Sequence, residues 1–280
     1  MDFKKFSNLI MIEQTLFALP FAYLGVLFAN GRDLSTWLLV TIALVAARTA
    51  GMSFNRAIDA EIDAKNPRTK DRLIPRGKAK KTEVWIIGIF SSIALVISSY
   101  LLNDLCFYLS FVAVFLLLTY SYFKRFSSSS HFYLGFVEAA APIGGYLAVT
   151  GSFSLVPFIL GAAILLWIAG LDIVYALQDV EFDRKERLHS LPSVYGEKNA
   201  LAASSACYIL SFAAMISAGI VTGKSISYWA ALSCVALIFI YQQKTARSGE
   251  IGVALKKFFR ANMYVSPFLL IGTTIDVLLI

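Results

Sequence analysis

Long apolar stretches recur along the whole chain, and they limit its possible folds more than any other feature of the sequence. Each is long enough, or nearly so, to cross about 30 Å of hydrocarbon as a helix that rises about 1.5 Å per residue. Because the stretches are continuously apolar, they predict helices and not the alternating strands of a barrel. The sequence therefore predicts an all-α bundle of nine transmembrane helices, at residues 14–29, 36–57, 84–102, 105–123, 132–150, 155–178, 200–221, 226–241 and 261–280.

The composition agrees with a membrane location. Hydrophobic residues make up 58% of the 280 residues and charged residues 15%, and the mean hydropathy is +0.69. Such a chain has too little polar surface to cover a water-soluble globule of this size. We expect a multi-pass integral membrane protein with a single domain over residues 1–280, in which the first apolar stretch is retained as a helix.

Basic residues fall on alternate loops of this predicted topology. The opposite loops hold only Arg32 and Lys224. Almost all other Lys and Arg residues lie in the N-terminal segment and in residues 55–83, 124–131, 179–199 and 242–260. Because Lys and Arg are retained on the cytoplasmic side, we expect an N-terminus in the cytoplasm, most simply at a bacterial inner membrane. The net charge of +7 follows from this topology, and no binding to nucleic acid is expected.

Two acidic motifs stand at the ends of apolar stretches. In the first, NRAIDAEID at residues 55–63, Asn55, Asp59 and Asp63 recur at every fourth position. A continuous helix would place them on one face, together with Arg48 about two turns deeper.

The second motif, DIVYALQDVEFD, follows the sixth apolar stretch. Its polar residues Asp172, Tyr175, Asp179 and Asp183 would also lie on one face of a continuous helix. An even number of crossings separates the two motif helices, so both motifs should emerge on the cytoplasmic side.

Four aspartates that meet at one membrane surface would repel one another without a cation among them. Oxygen donors without His or Cys favour Mg²⁺, which usually completes its coordination shell with phosphate oxygens. The motifs therefore predict a pair of Mg²⁺ sites and a phosphorylated substrate. Basic residues that follow the motifs, among them Arg68, Arg72 and Lys185, could hold the anion of that substrate.

Other charged residues lie deeper or at the opposite side. Arg48 and Asp172 each need a partner or a water-filled cavity, because a charge within the bilayer is costly. Glu138 could pair with Arg48 or act as a base, and Asp276 is expected at the outer interface.

Both motifs resemble those of the UbiA superfamily of membrane prenyltransferases. The first is similar to the family pattern N-D-x-x-D-x-x-x-D, the second to D-x-x-Y-x-x-x-D-x-x-x-D, and NPRTKDRLIPRG at residues 66–77 is similar to the family's next segment. The resemblance implies a nine-helix bundle around a central cavity open toward the cytoplasm. It also implies that a polyprenyl diphosphate, bound through Mg²⁺, ionises to an allylic cation that an aromatic ring attacks before the ring loses a proton.

Together with the motif faces, the resemblance implies roles for individual residues. The catalytic residues would be Asp59, Asp63, Asp179 and Asp183, which would also bind the metal together with Asn55. The residues expected to bind substrate are Arg48, Asn55, Arg68, Arg72, Asp172, Tyr175 and Lys185.

The aromatic acceptor stays open at this point. Arg56 stands where the ubiquinone branch of the family commonly has Asp, and TLFALPFA at residues 15–22 looks more like the menaquinone branch. The candidate acceptors, 4-hydroxybenzoate and 1,4-dihydroxy-6-naphthoate, both carry a carboxylate, which Arg48 is predicted to bind.

A secondary transporter is the alternative, since many helices with buried acids also occur in ion-coupled carriers. Carriers commonly contain inverted repeats with helices broken near the bilayer midplane. Here both acidic motifs end parallel helices at one surface, which favours the enzyme.

Overall fold

The computed structural model describes residues 3–248 and 251–279, which form helices joined by turns and loops, with no strand among them. A single turn of 3₁₀ helix, Leu177–Asp179, separates α8 from α9. The α-helices are α1 Phe3–Ile10, α2 Ile12–Phe28, α3 Leu34–Ile58, α4 Ala60–Lys65, α5 Lys81–Leu102, α6 Asp104–Phe123, α7 Ser130–Thr150, α8 Leu155–Ala176, α9 Val180–Lys185, α10 Leu191–Tyr195, α11 Glu197–Val221, α12 Ile226–Thr245, α13 Ile251–Asn262 and α14 Val265–Leu279.

Eight helical segments in the described part of the chain are long and apolar enough to cross a membrane. Six of them are α3, α5, α6, α7, α11 and α12. The other two are Leu155–Lys185, which comprises α8, the 3₁₀ turn and α9, and Gly252–Leu278, which comprises α13 and α14. The first predicted helix corresponds to α2, whose apolar part, Thr15–Phe28, is shorter and contains Pro20. The helical membrane bundle is thus confirmed, while a ninth crossing by α2 and a single domain over 1–280 stay predictions.

Local signals in the sequence set several helix ends. Asp33 caps α3 by accepting a hydrogen bond from the Thr36 amide at 2.9 Å. Hydrogen bonds from Ser35 and Thr36 hold the pKa of Asp33 below its usual value. Asn103 caps α6 in the same way, through the Cys106 amide at 2.9 Å. α7 ends at Gly151, whose φ of +60° lies in the left-handed region that glycine adopts without strain.

The outer surface of the bundle is apolar. Ile86, Phe90, Phe115, Ile209 and Leu237 are each more than half exposed. A surface this rich in large apolar side chains is typical of a protein that lies in lipid.

Aromatic side chains fill the interior between α2, α8, α11 and α12. Trp167 on α8 is fully buried, and its ring centroid lies 5.2 Å from Phe21 and 5.8 Å from Phe239. Tyr208 packs edge-on against Phe239 at 4.6 Å. These contacts place α8, the helix that leads into the second acidic motif, in the core of the bundle.

The backbones of α2 and α7 approach closely at two glycines. A Cβ on Gly145 would lie 2.0 Å from the Ala22 carbonyl oxygen, and one on Gly25 would lie 2.1 Å from the Pro142 carbonyl oxygen. Small residues are the usual means by which membrane helices pack this tightly. The contact anchors the short helix α2 inside the bundle.

The position of Asp276 at the outer interface stays a prediction, but its side chain pairs within the protein. The side chain is fully buried, accepts hydrogen bonds from Ser225 and forms an ion pair with Lys224 at 3.1 Å. These contacts tie the turn between α11 and α12 to α14. These partners are distant from Asp276 in sequence, so no local pattern indicated them.

Replacing Gly145 by Ala should destabilise the protein, because the added methyl group collides with backbone that has no room to move. We expect a cost of about 1–3 kcal/mol, seen as a lower midpoint of thermal unfolding in detergent. Gly144→Ala is the matched control, since a Cβ there meets no atom within 4 Å. Equal stability of the two variants would contradict the close contact.

Candidate active site

The first acidic motif lies where α3 ends. Asp59 stands at the junction of α3 and α4, with φ −89° and ψ 4°, and Asp63 follows on α4. Both side chains are buried, with residue exposures of 1% and 4%. The Asn55 amide donates to Asp59 Oδ2 at 2.9 Å and to Ser121 Oγ at 3.1 Å. The motif therefore holds two carboxylates away from bulk water.

Basic side chains neutralise both carboxylates. Lys124 Nζ lies 2.6 Å from Asp59 Oδ2, and Arg125 Nη2 lies 3.3 Å from Asp59 Oδ1. Arg72 Nη1 contacts both oxygens of Asp63, at 2.6 and 2.7 Å. In this structure the repulsion that predicted a cation is relieved by Lys and Arg.

The spacing of the second motif predicted one continuous helix, but the structure shows a break within the motif. α8 ends at Ala176, a 3₁₀ turn leads to Asp179, and α9 begins at Val180. Asp179 has φ −108° and ψ 5°, close to the values at Asp59. In both motifs the middle aspartate thus lies at a helix junction, in the sparsely allowed bridge region where active-site residues often occur.

The loop after the first motif binds the second motif. Arg68 Nη2 lies 2.6 Å from Asp179 Oδ2, and Arg68 Nη1 donates to the Tyr175 hydroxyl at 2.7 Å. The Asn66 amide donates to Asp179 Oδ1 at 3.0 Å. The two motifs, more than a hundred residues apart, therefore meet at one end of the bundle, as predicted from the even number of crossings between their helices.

Two further contacts join the same segments. Lys65 Nζ at the end of α4 lies 2.7 Å from Glu186 Oε2, and this hydrogen bond raises the pKa of Lys65. The His189 amide donates to the Lys124 carbonyl at 2.7 Å. The loops after α3, α6 and α9 thus form one connected surface around the aspartates.

The remaining acids of the second motif have neutral partners. The Ser190 hydroxyl donates to Asp183 Oδ2 at 2.6 Å. Asp172 Oδ2 lies 2.7 Å from Nδ1 of the buried His131, whose Nε2 accepts from the Leu191 amide at 3.1 Å. Because Nε2 is an acceptor, Nδ1 carries the proton and donates to Asp172.

Deeper in the bundle, Arg48 pairs with Glu138. Their side chains are 16% and 12% exposed, so the pair is largely shielded from water. Of the two roles left open for Glu138, the structure supports the pairing. Lys185, by contrast, is exposed at the end of α9 and makes no ion pair with any described residue.

The donor set suits a hard divalent cation. As ligands, its residues would supply carboxylate and amide oxygens, which Mg²⁺ prefers. The residues are Asn55, Asp59, Asp63, Asp179 and Asp183. Within residues 3–248 and 251–279, no three His, Cys, Asp or Glu side chains form a ready-made metal cluster. For a metal to bind these carboxylates, the Lys and Arg side chains that now contact them would have to release them and bind another anion instead.

The pattern of the UbiA prenyltransferase family matches residues 18–264, which is most of the chain. The chain belongs to this family. It is therefore an enzyme of the prenyltransferase class, as its motifs predicted.

Curated UbiA relatives match over most of their length. One, named 4-hydroxybenzoate octaprenyltransferase, from Xanthomonas campestris pv. campestris, is 32% identical over 91% of this chain and 83% of its own. Another of the same name, from Neisseria gonorrhoeae, is 31% identical over 92% of this chain and 85% of its own.

Solved UbiA structures share the fold. The apo structure of a UbiA homolog from Aeropyrum pernix K1 has a TM-score of 0.88 and 33% identity, over 95% of this chain and 98% of that one. A UbiA homolog from Archaeoglobus fulgidus bound to DMAPP and Mg²⁺ has a TM-score of 0.69, over 97% and 99% of the two chains. At 14% identity, the second likeness shows the fold alone.

Sequence reasoning about this UbiA enzyme missed several residues of the site. The basic residues of the loop 124–131 indicated only the topology, and no sequence pattern marked Lys124, Arg125 or His131 as contacts of the motifs. The available signal was the predicted topology, which places residues 124–131 on the same side of the membrane as both motifs.

Loss of the His131 ring should destabilise the protein, because it leaves the Leu191 amide and Asp172 without a hydrogen-bond partner. We expect His131→Leu to cost about 1–3 kcal/mol, measured by thermal unfolding in lipid nanodiscs. His189→Leu is the control, since the His189 ring makes no hydrogen bond with a described residue. Equal unfolding midpoints would show that the His131 contacts add no stability.

Proposed function

We propose that this enzyme transfers a polyprenyl group from a polyprenyl diphosphate to an aromatic acceptor that carries a carboxylate, in a reaction that depends on Mg²⁺. The observation that carries the proposal is the meeting of both aspartate motifs with Lys124, Arg68 and Arg72. Acids that bind metal and bases that bind phosphate are the two requirements for holding a metal diphosphate. The distribution of Lys and Arg supports a cytoplasmic position for this surface.

The names of the curated relatives support 4-hydroxybenzoate as the acceptor, in the biosynthesis of ubiquinone. 1,4-Dihydroxy-6-naphthoate, in menaquinone biosynthesis, is the second candidate. It is favoured by Arg56, which is buried next to Asn55 where the ubiquinone pattern has Asp.

In the proposed reaction Asn55, Asp59, Asp63, Asp179 and Asp183 hold Mg²⁺. The metal, when bound, withdraws charge from the diphosphate. Because Lys124, Arg72 and Arg68 already contact carboxylate oxygens, each can transfer these hydrogen bonds to phosphate oxygens when the aspartates bind metal.

The bond changes then follow from the charges. The bond between the allylic carbon and the diphosphate oxygen breaks, and its electron pair leaves with the diphosphate. The ring forms the new carbon–carbon bond to the allylic cation and then loses a proton. The apolar bundle accommodates the isoprenoid and excludes water, which would otherwise trap the cation as an alcohol.

Arg48 is the proposed ligand of the acceptor carboxylate, since it is shielded and lies about two turns deeper than Asn55. Arg48→Ala should raise the acceptor KM by about tenfold or more, because it removes a charge-assisted hydrogen bond. Steady-state assays with the acceptor varied would measure this. An acceptor KM unchanged in a variant that remains active would refute the assignment.

Membranes that contain the enzyme should join a radiolabelled prenyl diphosphate to an aromatic acid. EDTA should abolish the activity and Mg²⁺ should restore it, because the anionic aspartates would repel the diphosphate without a cation between them. Both acceptors should be supplied in competition, so that the product identifies the preferred ring. Metal-independent solute uptake without prenylation would instead support the transporter.

The same assay tests the metal ligands. Asp59→Asn and Asp179→Asn should each lower turnover by about a hundredfold or more while the protein still inserts. Asp104→Asn, on an exposed residue at the start of α6, is the control and should retain activity. Near-normal rates in either motif variant would remove that residue from the proposed site.

A further inference from the structure

A cavity of about 400 Å³ lies between the N-terminal helices and the loop that follows the first motif. Leu9 and Ile12 contribute to one wall, and Leu73 and Ile74 to the other. Its charged lining residues are Arg56, Asp63, Asp71 and Arg72. The cavity is therefore apolar on its sides and charged where it meets the acidic motif.

Arg56 is the residue of this cavity that the proposed reaction does not use. It is only 7% exposed, and its Nη2 lies 3.0 Å from Met11 Sδ. Among the described residues, no carboxylate lies within ion-pair distance of its guanidinium. Buried arginines are normally paired, since an uncompensated charge in the interior is costly.

The neighbouring acids are already neutralised. Asp63 is bound by Nη1 of Arg72, and Asp71 accepts hydrogen bonds from Arg76 at 2.6 and 2.9 Å. Nε and Nη2 of Arg72 make no hydrogen bond with a described residue. The two carboxylates that line the cavity are therefore matched by Arg72 and by Arg76, which lies outside the lining, and the guanidinium of Arg56 is left without a carboxylate. Donors of Arg56 and Arg72 are thus available to a ligand.

We propose that this cavity binds an oxyanion, with Arg56 and Arg72 as its donors. Guanidinium groups bind carboxylate and phosphate through matched pairs of hydrogen bonds. Two ligands of the proposed reaction, on which this inference rests, have that chemistry: the carboxylate of the arriving acceptor and the departing diphosphate. The site is separate from Arg48, whose guanidinium is paired with Glu138.

Arg56→Gln tests the site by removing its charge. The variant should raise either the acceptor KM or the inhibition constant of pyrophosphate by about tenfold to a hundredfold, while turnover at saturating substrate changes little. Arg56→Lys, which keeps the charge, should recover part of the loss. Arg32→Gln is the control, because Arg32 is exposed and makes no ion pair with a described residue.

The two constants distinguish the source of the oxyanion. A change confined to the acceptor KM assigns the cavity to the arriving acid, and a change confined to pyrophosphate inhibition assigns it to the leaving group. If both constants match the wild type in an active Arg56→Gln variant, the proposal is overturned.

A second measurement does not depend on the stability of Arg56 variants or on turnover. Ser7 lines the cavity and is half-buried, so Ser7→Cys can report its occupancy through the rate of maleimide labelling, after subtraction of labelling in the parent protein. Pyrophosphate or 4-hydroxybenzoate should slow this labelling severalfold. Protection by neither ligand would overturn the proposal, whereas protection without prenyl transfer by the wild type would contradict only the proposed function.

Discussion

The contact between buried aspartates and basic side chains is the interaction on which the rest of this site depends. Asp59 and Asp63 are almost completely withdrawn from water at the edge of a membrane bundle. Without Lys124, Arg125 and Arg72 they would be uncompensated charges, which are costly in such surroundings. The same contacts hold the segments that follow α4 and α6 against the first motif.

These ion pairs also explain how the site combines two opposite demands. A diphosphate needs positive charge and a metal ion needs negative charge, and in this chain each group stabilises the other before any ligand arrives. Arg68 links the two motifs, because it contacts both Asp179 and Tyr175 of the second motif from the loop that follows the first. Charge balance within the protein therefore also positions the groups that the proposed chemistry requires.

Much of the fold could be predicted from the sequence because apolar length and loop charge depend on local composition. The ranges for α3, α5 and α8 follow directly from such stretches, and the spacing of Asn55, Asp59 and Asp63 marked the first motif. The helix breaks at Asp59 and Asp179 could not be predicted from a fixed helical period. The partners of Asp59, Asp172 and Asp276 depend on contacts between distant segments, which no local pattern encodes.

The junctions at Asp59 and Asp179 divide each motif helix into two mechanical parts. The long part is packed in the bundle, whereas α4 and α9 are only 6 residues each and are held mainly by side-chain contacts at the surface. The directions in which Asp63 and Asp183 leave the long helices are therefore set by the backbone angles at Asp59 and Asp179, and not by a continuation of α3 and α8.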